Sequence, residues 1–129
     1  MTRESPDPET FLPLTPATFH ILMVLARGEN HGYAIMREIE ESTDGSFTVG
    51  PGTLYGSIKR MLEAGWIEES DERPDPALDD ERRRYYRLTD LGRRVVQAEA
   101  ERLAHLVRMA EHARLLGGAT PASDAGSVS

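Results

Sequence analysis

The stretch VGPGTLYGSIKRMLEAGWIEE, residues 49–69, decides the fold. Pro51 suits the first turn of a helix, where its fixed φ is already helical and its missing N–H would have had no intrahelical partner. Leu54, Ile58, Met61 and Leu62 then recur at i, i+4, i+7 and i+8, which makes one apolar stripe directed at a core. The opposite face is polar and compact. It carries Thr53, Tyr55, Gly56, Lys59 and Arg60, with Tyr55 and Lys59 one turn apart and Gly56 leaving the backbone open to close approach. Gly65 supplies a left-handed stop, and Trp66 and Ile67 open an extended run. A short helix with a polar face and a strand directly behind it is the build of a DNA-reading helix followed by a wing. In isolation, an amphipathic helix with solvated Lys59 and Arg60 explains the same residues equally well, so the flanking segments decide.

Upstream, residues 1–13 hold three prolines and few large apolar groups and are expected to form a mobile arm. Thr15 is a good N-cap, and Pro16 again occupies a first helical position. Phe19, Leu22, Met23 and Ala26 repeat at helical spacing, widened by Ile21, Val24 and Leu25, so this first helix is buried. It ends near Arg27 and Gly28, and residues 28–31 make a turn that His31 serves. A second helix, residues 32–41, places Tyr33, Ile35, Met36 and Ile39 inward and Arg37, Glu38, Glu40 and Glu41 outward. With the helix from Pro51, this outlines a helix-turn-helix whose second helix enters the major groove.

Downstream, residues 66–70 and 83–88 read as paired strands joined by the loose, acidic loop DERPDPALDDER. Period-two alternation sends Tyr86 and Leu88 to one face and Arg83, Tyr85 and Arg87 to the other. Thr89 caps a last helix, residues 90–116, roughly 40 Å long at 1.5 Å per residue. That exceeds the needs of a compact domain. Leu103, Leu106, Ala110 and Ala113, preceded by Leu91, Val95 and Ala98, form a seam for another helix, most simply from a second copy of the chain. Residues 117–129, GGATPASDAGSVS, are a low-complexity tail expected to be disordered.

The 129 residues suit one domain, and the absence of cysteine removes disulfides, thiolate metal sites and thiol nucleophiles together. No apolar run reaches membrane-spanning length, and the polar N-terminus reads as no secretory leader, so a cytoplasmic protein is expected. The net charge of −7 argues at first against a polyanionic partner. Distribution matters more than the sum. Cations gather at Lys59 and Arg60 on the helix and at Arg82, Arg83, Arg84 and Arg87 around the second strand, although the run Asp79, Asp80 and Glu81 offers the arginines local ion pairing instead.

Three blocks together resemble the PadR family of bacterial transcriptional regulators: LTPATFHILMVLARGENHGYAI (residues 14–35), PGTLYGSIKRMLEAGWI (51–67) and RRRYYRLTDLGRR (82–94). The order of HGY, PGTLY and YYRLTDLG is much more specific than any one of them. The length and single C-terminal helix are similar to the smaller subgroup of that family. The resemblance implies a winged helix-turn-helix domain over residues 14–88 and a dimerisation helix over 89–116, a mainly α fold with a small β-hairpin. Carried over, it makes Thr53, Tyr55, Ser57, Lys59 and Arg60 the groove-facing set, Tyr33 and Arg82, Arg83 and Arg84 phosphate contacts, and Leu91, Val95, Leu103, Leu106 and Ala110 dimer-facing. The acids Asp71, Glu72, Asp75, Asp79, Asp80 and Glu81 depart from the basic, glycine-rich wing tip usual in the family, because like charge repels phosphate.

Catalysis has little support and ranks third: the chain carries no G-x-S-x-G, no P-loop and no dinucleotide fingerprint, so no enzyme is expected. His105 and His112 share a helix face, but a metal site needs more ligands, so no metal or cofactor is expected. The combined expectation is a homodimeric repressor on double-stranded, inverted-repeat operator DNA, with recognition helices roughly 34–36 Å apart. A small apolar or aromatic effector would release it. The alternative is a winged-helix protein-interaction module that does not bind DNA.

Overall fold

The computed structural model describes residues 7–70 and 84–116. In order they form a 3-10 turn (Pro8–Phe11), α1 (Pro16–Ala26), β1 (Asn30–His31), α2 (Gly32–Ser42), α3 (Pro51–Ala64), β2 (Ile67–Glu69), β3 (Tyr85–Leu88) and α4 (Asp90–His112). The chain divides into two units, Met1–Glu99 and Ala100–Ser129, and the division falls within α4.

The helix starts are those their sequences dictate. Thr15 Oγ1 accepts from the Thr18 N–H at 3.2 Å, with Pro16 in the first turn of α1. His31 Nδ1 accepts from the Ala34 N–H at 3.2 Å and so caps α2, which gives the turn histidine its role. At the far end of α3, Gly65 adopts φ 81°, and the Gly65 and Trp66 N–H groups donate to the Leu62 and Met61 carbonyls at 3.1 and 3.0 Å. That pair of bonds closes the helix with the left-handed cap expected of glycine.

The core of the first unit gathers Ile21, Leu22 and Leu25 of α1, Ile35 and Ile39 of α2, Leu54, Ile58 and Met61 of α3, Ile67 and Tyr86 of the sheet, and Val95 and Val96 of α4. Burying each of these large side chains is worth roughly 1.5–3 kcal/mol, which is what fixes α3 against the other helices. Met23 and Leu62, expected on the apolar stripes, stand 36% and 38% exposed at their margins.

The sheet is three-stranded and antiparallel in the order β1-β3-β2, with Asn30 opposite Tyr86, His31 opposite Tyr85, and Glu68 opposite Arg87. The sequence yields only the β2–β3 hairpin. β1 is two residues long, too short to show a period, and it exists because β3 offers it an edge. The strands are also shorter than the expected 66–70 and 83–88, although the Ser70 N–H still donates to the Tyr85 carbonyl at 2.7 Å. The acidic loop lies outside the described residues, as does the tail from residue 117 onward.

Two contacts link residues 7–14 to the rest of the first unit. Phe11 meets Trp66 edge to face with ring centroids 5.2 Å apart, and the Leu14 N–H donates to Glu99 Oε2 at 3.1 Å. Glu99, which composition gave no reason to single out, is 2% exposed. It occupies the buried stripe of α4 one turn beyond Val95, where it meets a backbone donor that would otherwise need water.

The junction of β3 and α4 is equally specified. Thr89 Oγ1 donates to the Gly65 carbonyl at 2.6 Å and accepts from the Gly92 N–H at 3.1 Å, so one hydroxyl ties the start of α4 to the end of α3. A methyl group on Gly92 would lie 2.8 Å from the Trp66 carbonyl carbon, so only glycine permits this approach. Within the second unit, Leu106, Val107 and Met109 of α4 are exposed.

Candidate nucleic-acid interface

α3 buries Leu54, Ser57, Ile58 and Met61 and presents Gly52, Thr53, Lys59, Arg60 and Glu63 to solvent. Among the groove-facing residues implied by resemblance, Thr53, Lys59 and Arg60 therefore stand on the exposed face, in successive turns of one helix. A Cβ built on Gly52 meets nothing within 4 Å, and one on Gly56 meets only Arg60 Nη1 at 3.6 Å. Among the described residues no contact requires either glycine. An exposed glycine inside a helix weakens it relative to alanine, and the two leave the backbone bare between Thr53 and Arg60.

Ser57 is a correction. It is 2% exposed, on the shoulder of the apolar stripe beside Leu54, and its hydroxyl accepts from Arg60 Nη2 at 3.3 Å. Its burial places it beneath the exposed face and not on it. Tyr55 is a second correction. Its ring is half-buried and its hydroxyl is enclosed against Gly32, 2.7 Å from where a Cβ of that residue would lie. Tyr55 thus joins α3 to the start of α2 and leaves no hydroxyl at the surface for a phosphate.

Tyr33, placed inward by periodicity, is 57% exposed, and the Arg37 guanidinium lies over its ring at 5.6 Å. The pair gives α2 a cation–π contact with an exposed ring, beside Gly32 in sequence. Its exposure is compatible with the phosphate role that the resemblance implied.

The base of the wing is more neutral than its arginines suggest. Arg84 Nε lies 3.3 Å from Glu69 Oε2, and Arg87 Nε lies 2.8 Å from Glu68 Oε2, the second pair directly across the β2–β3 ladder. Both pairs are substantially exposed, so each contributes little to stability. Their effect is on the field, since each arginine charge is offset by a carboxylate on the neighbouring strand. Arg82 and Arg83 lie outside the described residues.

Of the residues proposed as dimer-facing, Val95 is fully buried in the chain's own core, and Leu91 packs partly buried against it. Val95 therefore has no surface to offer a second copy, whereas Leu91 keeps part of its own exposed. Their spacing continues the same stripe as Leu103, Leu106 and Ala110, and sequence alone does not mark where the stripe leaves the core. Among the described residues no helix is long and apolar enough to cross a membrane.

The model of the transcriptional regulator PadR-like family matches residues 21–98. The transcriptional regulator YqjI of Escherichia coli is 35% identical over 52 residues, covering 40% of this chain and 25% of that protein. The chain spans 22% to 25% of the length of the first curated relatives it matches. Among solved structures, a transcriptional regulator from Clostridium thermocellum superposes with a TM-score of 0.63 at 25% identity, over 74% of this chain and 87% of that one. PadR of Bacillus subtilis, solved in complex with operator DNA, superposes with a TM-score of 0.56 at 24% identity, over 70% of this chain and 48% of that one.

Proposed function

The chain belongs to the transcriptional regulator PadR-like family, and from that premise we propose that it is a cytoplasmic repressor that binds an inverted-repeat operator as a homodimer. The observation that carries this reading is the exposed face of α3. Thr53, Lys59 and Arg60 rise there around the bare backbone of Gly52 and Gly56, while the other face is locked into the core. A helix so held can enter the major groove and set donors against base edges without first being ordered. Tyr33 and Arg37 add phosphate contacts that position the helix and carry no sequence information. The structural likeness to the Bacillus subtilis protein, which was captured on its operator, supports the same use of the fold.

Dimerisation runs through the second unit, where Leu103 and Ala110 are half-exposed and Leu106 more so, along one stripe of α4. Two subunits then double the cations presented to DNA, which is how an acidic chain assembles an electropositive footprint. A small apolar or aromatic effector bound near that seam favours one spacing of the two recognition helices and lowers DNA affinity by differential binding to two states.

Fluorescence anisotropy with a labelled duplex from upstream of the chain's own coding sequence tests the reading. Binding that weakens steeply with salt, and weakens again in Lys59→Ala, supports it. Absent or salt-insensitive binding favours a protein-interaction module using the acidic surface. Protomers that stay solitary at micromolar concentration in the ultracentrifuge contradict the dimer.

A further inference from the structure

We propose that Arg60 reads a guanine in each half-site and that Ser57, buried beneath it, is the positioning residue that makes this reading selective. This rests on the assignment of α3 to the major groove. Arg60 folds back along the helix toward its N-terminus: Nη2 donates to Ser57 Oγ at 3.3 Å, and Nη1 lies over the open backbone of Gly56. Residues three and four positions back are those an arginine reaches in a helix. Two features distinguish this arrangement from a solvated cation. The acceptor belongs to a residue only 2% exposed, so it is held by the core around it, and the residue under the guanidinium, Gly56, has no side chain.

A phosphate also accepts the planar fork, but it is the same at every step of the duplex and carries no sequence information. A base edge demands one plane. The guanidinium fork matches the adjacent O6 and N7 acceptors of guanine, whereas adenine presents a donor beside N7, cytosine a donor, and thymine one acceptor beside a methyl group. Holding one nitrogen on Ser57 leaves the remaining donors of the fork for that pair of acceptors. Lys59, a point charge on a flexible stem next to it, lacks the planar two-point match of the fork and suits phosphate as well as a base edge.

The test is selection of duplexes from a randomised pool by the full chain, followed by affinity measurements on single-base-pair variants of the selected site. In the wild type, one G·C pair per half-site is required, and its replacement by A·T lowers affinity roughly 5- to 100-fold. Arg60→Lys keeps the charge, loses the fork and weakens that discrimination while retaining salt-dependent binding. Ser57→Ala lowers discrimination at the same base pair and has no further effect in an Arg60→Lys background, an outcome that a merely structural role of Ser57 does not produce. Uniform loss across all duplexes in Arg60→Lys makes the residue a phosphate contact and overturns the proposal. An unchanged preference in Ser57→Ala overturns the positioning role, and because Arg60 is exposed, Arg60→Lys remains decisive should Ser57→Ala fail to fold. A pool that yields no selected sequence refutes DNA reading by α3 itself, an outcome separate from selection without a guanine requirement.

Discussion

Gly32 lies beneath the ring of Tyr55 so closely that a methyl group on it would come within 2.7 Å of the phenol oxygen and 3.0 Å of two ring carbons. The contact joins the HGY and PGTLY segments, which are distant in sequence, and it sets how α3 sits on the first turn of α2. Gly32→Ala is expected to destabilise the domain by about 1–3 kcal/mol through overpacking. Tyr55→Phe in the same chain restores part of the loss, because the hydroxyl is the nearest obstacle. Denaturant unfolding of the two single variants and the double variant measures the coupling, and strictly additive losses would show that the two residues do not press on each other.

Gly56→Ala separates stability from function. The added Cβ has only the ordinary 3.6 Å contact with Arg60 Nη1 and replaces the weakest common helix former with the best. The melting temperature should rise, with a gain of roughly 0.5–1 kcal/mol, while affinity for operator DNA falls. A stabilised variant that binds as well as the wild type would mean that nothing approaches this patch.

The two ion pairs at the base of the wing give an opposite signature. Glu68→Gln and Glu69→Gln remove carboxylates from Arg87 and Arg84 at exposed positions, so stability should change by less than about 1 kcal/mol. DNA binding should tighten, because a negative charge is withdrawn and an arginine is relieved of its carboxylate in each subunit. Unchanged affinity would place the wing base away from the phosphates.

These particulars mark what the sequence makes legible. Pro51 and Gly65 bracket α3 by fixed backbone chemistry, and Leu54, Ile58 and Met61 repeat at its period, so helix, stop and following strand are readable locally. The exposed half of the site follows from the same wheel. Ser57 and Tyr55 do not, because both sit on the flanks of the stripe, where the neighbouring element decides which way a side chain is enclosed; for Tyr55 that neighbour is Gly32. The third strand, Asn30–His31, has no periodicity to read. Val95 and Leu106 look alike along α4, and only packing shows that one belongs to the core and the other is exposed. Glu99 carried one local signal, a carboxylate in line with Gly92, Val95 and Val96, and its backbone partner Leu14 could be found only in three dimensions.

Leu106 tests the second unit. It is exposed and no part of the core, so Leu106→Glu leaves the unfolding of the first unit intact but places a charge on the proposed seam. Sedimentation should shift from dimer to monomer, and DNA affinity should fall with it. A dimer that survives the substitution would relocate the interface.

The central claim is that sparse cations on α3, doubled by dimerisation, bind DNA phosphate and base edges despite the net charge of −7. Its most direct test is the slope of log K against log salt concentration for the full chain on a selected duplex, compared with Lys59→Ala. Each lost phosphate contact lowers the slope by about 0.9, so a dimer losing one contact per subunit should lose roughly 2. An identical slope in the variant, or no salt dependence in the wild type, would contradict it.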